Sequence, residues 1–110
     1  MGDQFIKEII NHLKKSKKIS EKKSYTAHLI NNPKLLGKKI GEESSELIID
    51  FIKNNKKGIV NESADLIYHL LVAWVLVGVN PQDVWDELIK RKLKSGFEEK
   101  NSRSSKDELW

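Results

Sequence analysis

Residues 40–69 read IGEESSELIIDFIKNNKKGIVNESADLIYH, and the way this stretch folds decides the architecture of the chain. It holds two acidic pairs, Glu43-x-x-Glu46 and, after fifteen further residues, Glu62-x-x-Asp65. A spacing of three places both members of a pair on one helical face about a turn apart, and Asn54, Asn55 and Gly58 supply a reversal between the two helices. The stretch is therefore expected to form a helical hairpin across which the pairs meet. The pair centres, 44.5 and 63.5, are equidistant from residue 54. Even a turn centred nearer 56 offsets the pairs along the axis by only about 6 Å at ~1.5 Å rise per residue, which carboxylate side chains can span.

What distinguishes these acids from an ordinary solvated helix face is the company they keep. At ~100° per residue the stripe of Glu62 and Asp65 runs on through Leu66, His69, Val72, Ala73 and Leu76, an inward-facing surface. Glu43 and Glu46 border an apolar face made by Leu36, Ile40, Leu47 and Phe51. Carboxylates partly withdrawn from water repel one another and are driven to protonate unless a cation compensates them. Glu43, Glu46, Glu62 and Asp65 are thus expected to hold a metal. An all-oxygen donor set with no Cys in the chain selects a hard ion, Mg²⁺, with Mn²⁺ as a substitute.

Outward from the hairpin, Asn32-Pro33 reads as the N-cap and first position of the helix carrying Glu43, which is expected to end near Lys53. Gly41 inside it lowers helix propensity by about 1 kcal/mol and is read as admitting the close approach of a neighbour or ligand. The following helix is expected from near Ile59 to Val77, closed by Gly78; Leu70 to Val77 is apolar on every side. Such a segment needs cover all round, which a four-helix chain of this size hardly supplies, so a homo-oligomer is expected, with a dimer as its form. Asn80-Pro81 opens a last helix with Val84, Trp85, Leu88, Ile89 and Leu93 on one stripe. Upstream, Phe5, Ile6, Ile9, Ile10 and Leu13 recur at helical spacing, and Ser24 caps a short helix through Ile30. The fold class is all-α: four to five helices around a hairpin core, completed into a multi-helix bundle by oligomerisation. No strand pattern competes.

Composition bounds the function. A chain of 110 residues, 38% hydrophobic, is read as a single domain, residues 1–110, with a Lys-rich N-terminal helix over 1–23 and a polar tail over 95–110. The absence of Cys excludes disulfides and thiolate metal sites and agrees with a cytoplasmic location. No signal peptide is read, and the apolar run is too short for a membrane span. Net charge is +4, and all of that surplus lies in residues 1–23, where seven Lys face three acids. Without interleaved aromatics this segment reads as a soluble surface helix rather than a nucleic-acid arm.

Three segments together resemble a known family: Ser24-Tyr25-Thr26, the run Lys38-Lys39-Ile40-Gly41-Glu42-Glu43-Ser44-Ser45-Glu46, and Glu62-Ser63-Ala64-Asp65-Leu66-Ile67-Tyr68-His69. They resemble the phosphoribosyl-ATP pyrophosphatases of histidine biosynthesis, which belong to the all-α, MazG-like nucleotide pyrophosphatases. The likeness covers roughly residues 24 to 103 and includes the late segment Ser95-Gly96-Phe97-Glu98-Glu99-Lys100-Asn101-Ser102-Arg103. The carboxylate spacing points to the superfamily; the Ser-Tyr-Thr, Tyr-His and late Ser-Gly elements point to this member. The resemblance implies Mg²⁺-dependent hydrolysis of phosphoribosyl-ATP to phosphoribosyl-AMP and pyrophosphate, the second step of the pathway, with the two acidic pairs on the metal. It also implies the pyrophosphatase alone, without the zinc-dependent cyclohydrolase to which some members are fused, since this chain lacks Cys.

Roles for neighbouring residues follow from position. Glu42 lies ~40° around the helix from Glu46 and is the candidate to position or deprotonate the attacking water. Lys39, a turn before Glu43, is the leading candidate for substrate phosphate, with Lys38 less well placed. Lys100 and Arg103 are taken from the family-like ending, Arg for its two-pronged grip on phosphate. Tyr25 is a further substrate-binding candidate, beside Thr26 and Tyr68. His69, one turn after Asp65, is expected to donate a hydrogen bond to that carboxylate. A house-cleaning nucleoside triphosphate pyrophosphatase with the same metal cluster is the closest alternative, and a basic helical nucleic-acid-binding module is the alternative from another class.

Overall fold

A computed structural model describes residues 2–93; the tail with Lys100 and Arg103 lies outside the described residues. Five helices and no strand are found among them: α1 (Gly2–Ser16), α2 (Tyr25–Ile30), α3 (Pro33–Ile52), α4 (Lys56–Val77) and α5 (Pro81–Leu93). The chain divides into two compact units, one ending at Gly78 and one beginning at Val79. The first contains α1 to α4. The second contains α5, whose exposed side carries the local pairs Gln82–Asp86 and Arg91–Glu87.

Local chemistry sets the helix ends. Ser24 stands in extended conformation and its side chain accepts a hydrogen bond from the Ala27 N–H at 3.1 Å, capping α2 as its sequence implies. Asn32 does occupy the N-cap of α3, with Pro33 in the first turn, but its side chain makes no capping bond. Its Nδ2 donates instead to the His28 carbonyl at 2.7 Å and to Glu21 Oε1 at 3.2 Å, so Asn32 ties the loop before α2 to the α2–α3 junction. Gly78 takes the left-handed conformation at φ 79°, where a Cβ is costly, and ends α4.

The reversal between α3 and α4 is shorter than the sequence suggests. Asn54, at φ 54°, makes the left-handed step and Asn55 already caps α4, its Oδ1 accepting from the Gly58 N–H at 3.2 Å. Helix α4 therefore begins three residues before Ile59, and Gly58 belongs to its first turn rather than to the reversal. The space beside it is taken by two side-chain ends: a Cβ on Gly58 would stand 2.5 Å from the Asp50 carboxyl carbon and 2.7 Å from Asn55 Nδ2. With the turn centred on residue 54, the two acidic pairs lie level across the hairpin.

The core sits at the open end of this hairpin. Leu36 from α3 and Leu71, Val72 and Val75 from α4 bury against Ile10 and Leu13 of α1 and Leu29 of α2. Each such side chain contributes about 1.5–3 kcal/mol by leaving water. At the turn end nothing in this unit covers the hairpin: Ile48, Ile49, Phe51, Ile52, Val60 and Ile67 are exposed, Phe51 by 72% and Ile52 by 76%. By length and composition α4 is apolar enough to cross a bilayer, but it also carries Glu62 and Asp65 and packs on three neighbouring helices.

Candidate active site

Between the covered root and the bare tip of the hairpin lies the acidic seam. Its inner member is Glu43, only 9% exposed, held on α3 one turn beyond half-buried Ile40 and two beyond buried Leu36. Opposite it on α4 is His69, 5% exposed, whose Nδ1 lies 2.6 Å from Glu43 Oε1. The same Nδ1 lies 2.9 Å from the backbone carbonyl of Asp65. Both oxygens are acceptors only, so Nδ1 carries the hydrogen. The N–H is directed at the carbonyl, and Glu43 Oε1 lies against it but off its axis, which leaves that buried oxygen without a linear hydrogen bond.

The outer members face one another. Glu62 shares a hydrogen bond with Glu46 and feels the charges of Glu46, Asp65 and Asp50. Its carboxyl is pushed up to about 7, first by desolvation, then by the bond to Glu46 and by those three neighbouring charges. Its Oε2 is shielded from solvent with no hydrogen-bond partner. Glu46 and Asp65 are exposed.

The two pairs meet across the hairpin through Glu46 and Glu62; Asp65 adds its charge to Glu62 from the same helix, and Glu43 is drawn inward to His69. The expectation for His69 is corrected: the carboxylate it faces is that of Glu43 on the other helix, and what it bonds on Asp65 is the carbonyl. An i to i+4 count along one helix points to Asp65, and only the inter-helix packing brings Glu43 within reach.

Asp50 is the acid the sequence reading left out. It lies one turn beyond Glu46 on α3 and accepts from Asn55 Nδ2 at 3.2 Å. The signal was present, since Glu43, Glu46 and Asp50 follow a three-then-four spacing that keeps one stripe.

Glu42 faces away from Glu43, with Lys38 Nζ at 3.8 Å from one of its oxygens and Lys39 Nζ at 3.9 Å from the other. These are long, exposed ion pairs of little stabilising worth. They place both lysines beside Glu42 rather than beside Glu43. Gly41, read as a point of close approach, has open space where a Cβ would stand.

An aromatic wall closes the α2 side. The ring of Tyr25 stacks on Tyr68 with centroids 6.3 Å apart, and the Tyr25 hydroxyl reaches His69 Nε2 at 3.3 Å. Thr26 Oγ1 and the Tyr68 hydroxyl are 2.6 Å apart, and burial raises the Tyr68 phenol above its ordinary range. All three segments singled out in the sequence therefore converge on one seam.

The seam's all-oxygen donors, its crowded negative charge and its two orphaned buried oxygens fit a hard divalent cation. Among the described residues no three acid or histidine side chains converge closely enough to chelate an ion as they stand. The fit is one of charge and donor chemistry, with side-chain rotation still required of Glu46 and Asp65.

Comparison with known proteins agrees with the convergence of these segments. A phosphoribosyl-ATP pyrophosphatase of Granulibacter bethesdensis is 46% identical over 84 residues, covering 74% of this chain and 51% of the relative, so the chain spans about half that relative's length. One from Azospirillum brasilense is 42% identical over 83 residues, covering 74% of the chain and 75% of the relative. Another, from Paramagnetospirillum magneticum, is 38% identical over 104 residues and matches nearly end to end, at 94% and 95%. No solved structure gives a significant match. The family model for phosphoribosyl-ATP pyrophosphohydrolase matches residues 6–92, a span that takes in the aromatic wall, His69 and every acid of the seam. On the strength of that match, this chain belongs to the phosphoribosyl-ATP pyrophosphohydrolase family.

Proposed function

We propose that this protein hydrolyses phosphoribosyl-ATP to phosphoribosyl-AMP and pyrophosphate in an Mg²⁺-dependent reaction, the second step of histidine biosynthesis, as a cytoplasmic enzyme. The observation that carries this reading is the seam itself, in which carboxylates from two antiparallel helices crowd until Glu62 is pushed up to about 7. Such crowding is unfavourable for an isolated fold and is relieved by a cation that a triphosphate also needs. Glu43, Glu46, Glu62 and Asp65 would hold Mg²⁺, with Mn²⁺ able to replace it, and Asp50 adds negative charge next to them. When bound, the ion supplies charge neutralisation for the phosphate oxygens and for the departing pyrophosphate.

The chain's own residues do the rest. Glu42 positions or deprotonates the attacking water, and the nearby Lys38 and Lys39 are free to exchange their long contacts with Glu42 for substrate phosphate. Lys100 and Arg103 reach phosphate from the C-terminal segment, and Tyr25 forms part of the wall beside it. Residues 1–110 act as one all-α enzyme domain.

The active form is a homo-oligomer, a dimer, in which the apolar tip of the hairpin is covered by a second copy. The sequence reading locates the need for cover at Leu70 to Val77. In the structure that run is covered only in part, with Leu71, Val72 and Val75 buried but Leu70 and Val77 exposed, and a further exposed apolar group lies nearer the turn, at Phe51, Ile52 and Val60. Six large apolar side chains clustered at one end of a hairpin exceed the scattered exposure normal for a monomer.

Pyrophosphate release from phosphoribosyl-ATP, with and without Mg²⁺, tests the reading. Release only with the metal, and faster than from ordinary nucleoside triphosphates, is expected. Preference for an ordinary nucleoside triphosphate would reassign the chain to house-cleaning hydrolysis on the same seam.

A further inference from the structure

Tyr25 was read as a residue that touches substrate, yet its hydroxyl is engaged elsewhere. It lies 3.3 Å from His69 Nε2. Because Nδ1 faces two acceptors and must carry the ring's hydrogen, Nε2 of the neutral ring is an acceptor, and the Tyr25 O–H donates to it. The ring of His69 is thus fixed at both nitrogens, by the Tyr25 hydroxyl on one side and the Asp65 carbonyl on the other. What this fixing does is press the Nδ1–H edge against Glu43 Oε1 at 2.6 Å, inside a site where both side chains are about nine-tenths buried.

We propose that Tyr25 and His69 form a positioning relay that sets the tautomer and orientation of the imidazole and, through it, the orientation of the Glu43 carboxylate toward the metal. The proposal rests on the reading of the seam as a metal site. Neither residue touches the reacting atoms; each acts through Glu43. Three further contacts stiffen the relay. Tyr25 stacks on Tyr68 at an interplanar angle of 19°, Tyr68 meets the His69 ring edge-on at 4.9 Å, and the Tyr68 hydroxyl is held by Thr26 at 2.6 Å. The relay spans α2, α3 and α4, so it converts the docking of a six-residue helix into the aim of one carboxylate. A bare carboxylate in the same position would be free to rotate away from the ion, whereas one braced by an N–H edge has fewer orientations to lose on binding.

The discriminating variant is Tyr25→Phe, which keeps the ring and its stacking and removes only the hydroxyl. Mn²⁺ affinity measured by electron paramagnetic resonance on the protein without substrate is expected to weaken by about tenfold, the lower end of the effect of removing a group that orients a metal ligand. With phosphoribosyl-ATP, kcat is expected to fall by a similar factor while KM is unchanged. His69→Asn retains a donor near the Nδ1 position and loses the Nε2 acceptor, so Tyr25→Phe added to it should change nothing further. Equal losses that multiply in the double variant would overturn the relay. So would a rise in KM with Mn²⁺ affinity and kcat intact, which would return Tyr25 to substrate contact. Mn²⁺ affinity is read without substrate, so a wild-type protein that binds Mn²⁺ but does not cleave phosphoribosyl-ATP would refute the proposed reaction and leave the relay to stand or fall on its own measurement. Melting temperatures of the single variants within a few degrees of wild type separate positioning from loss of fold.

Discussion

The root and the tip of one hairpin are built from the same kinds of residue and end in opposite environments. At the root, Leu36, Leu71, Val72 and Val75 are almost wholly buried; at the tip, Ile48, Ile52, Val60 and Ile67 are open. Leu and Val at one end and Ile and Val at the other differ little in hydrophobicity. The difference is that α1 and α2 reach only the root, because α2 is one and a half turns long and is anchored through Ser24 and Asn32 close to the start of α3. Apolar periodicity marks a face that needs a partner, and does not say whether the partner comes from the same chain.

The most damaging way to probe this contrast is to cut a root side chain and its tip counterpart. Leu71→Ala should cost about 2–5 kcal/mol in a denaturant titration, independent of protein concentration. Ile52→Ala should cost less than about 1 kcal/mol at concentrations where copies are separate, because little burial is lost. Equal losses for the two would mean that the tip is covered within the chain. A charge at the tip sharpens the contrast further: Phe51→Asp should leave the helical circular dichroism intact while shifting the sedimentation coefficient to that of a monomer.

Next in size is the contact where the tip meets the seam. Gly58→Ala introduces a Cβ 2.5 Å from the Asp50 carboxyl group and 2.7 Å from Asn55 Nδ2, so both side-chain ends must swing aside and their contact is disturbed, which offsets part of the ~1 kcal/mol of helix propensity gained. In an Asp50→Ala background, where only Asn55 Nδ2 remains in the way, Gly58→Ala should be more favourable than in the wild type. A Gly58→Ala effect unchanged by loss of the Asp50 carboxylate would assign the crowding to Asn55 alone.

The smallest effect is electrostatic. Glu62 has its carboxyl raised from 4.5 to about 7 in the fold, so the folded state holds this proton more tightly than the unfolded chain does. Its contribution is therefore present below pH 4.5 and is lost as pH rises through about 7. The stability of metal-free wild type relative to Glu62→Gln should fall between pH 5 and pH 8 in thermal melts, and Mg²⁺ should abolish the fall. A difference that is flat with pH would mean that the seam is not crowded.

Much of this was legible along the chain. The all-α class, the hairpin and the Ser24 and Gly78 boundaries follow from periodicity and capping chemistry, and the start of α3 from Pro33 in its first turn, all of which act over four residues or fewer. The meeting of Glu46 and Glu62 follows from their equal distance from the turn, since two antiparallel helices of equal rise bring equidistant residues level. Gly58 was misread because a glycine near a turn usually serves the backbone, whereas this one lies in the first turn of α4 with two side-chain ends beside it.

What the sequence by itself determined is which residues share a face: the acidic stripes, the apolar stripes and the helix ends are all fixed by local geometry. Only the tertiary structure decided which faces meet. It paired the His69 side chain with that of Glu43 instead of Asp65, turned the Tyr25 hydroxyl inward to His69, and buried Leu36, Leu71, Val72 and Val75 at the root while leaving the tip exposed. The physical reason is that helical spacing fixes angles about one axis, while the distance between two axes and the side from which a third element docks depend on the packing of all of them together.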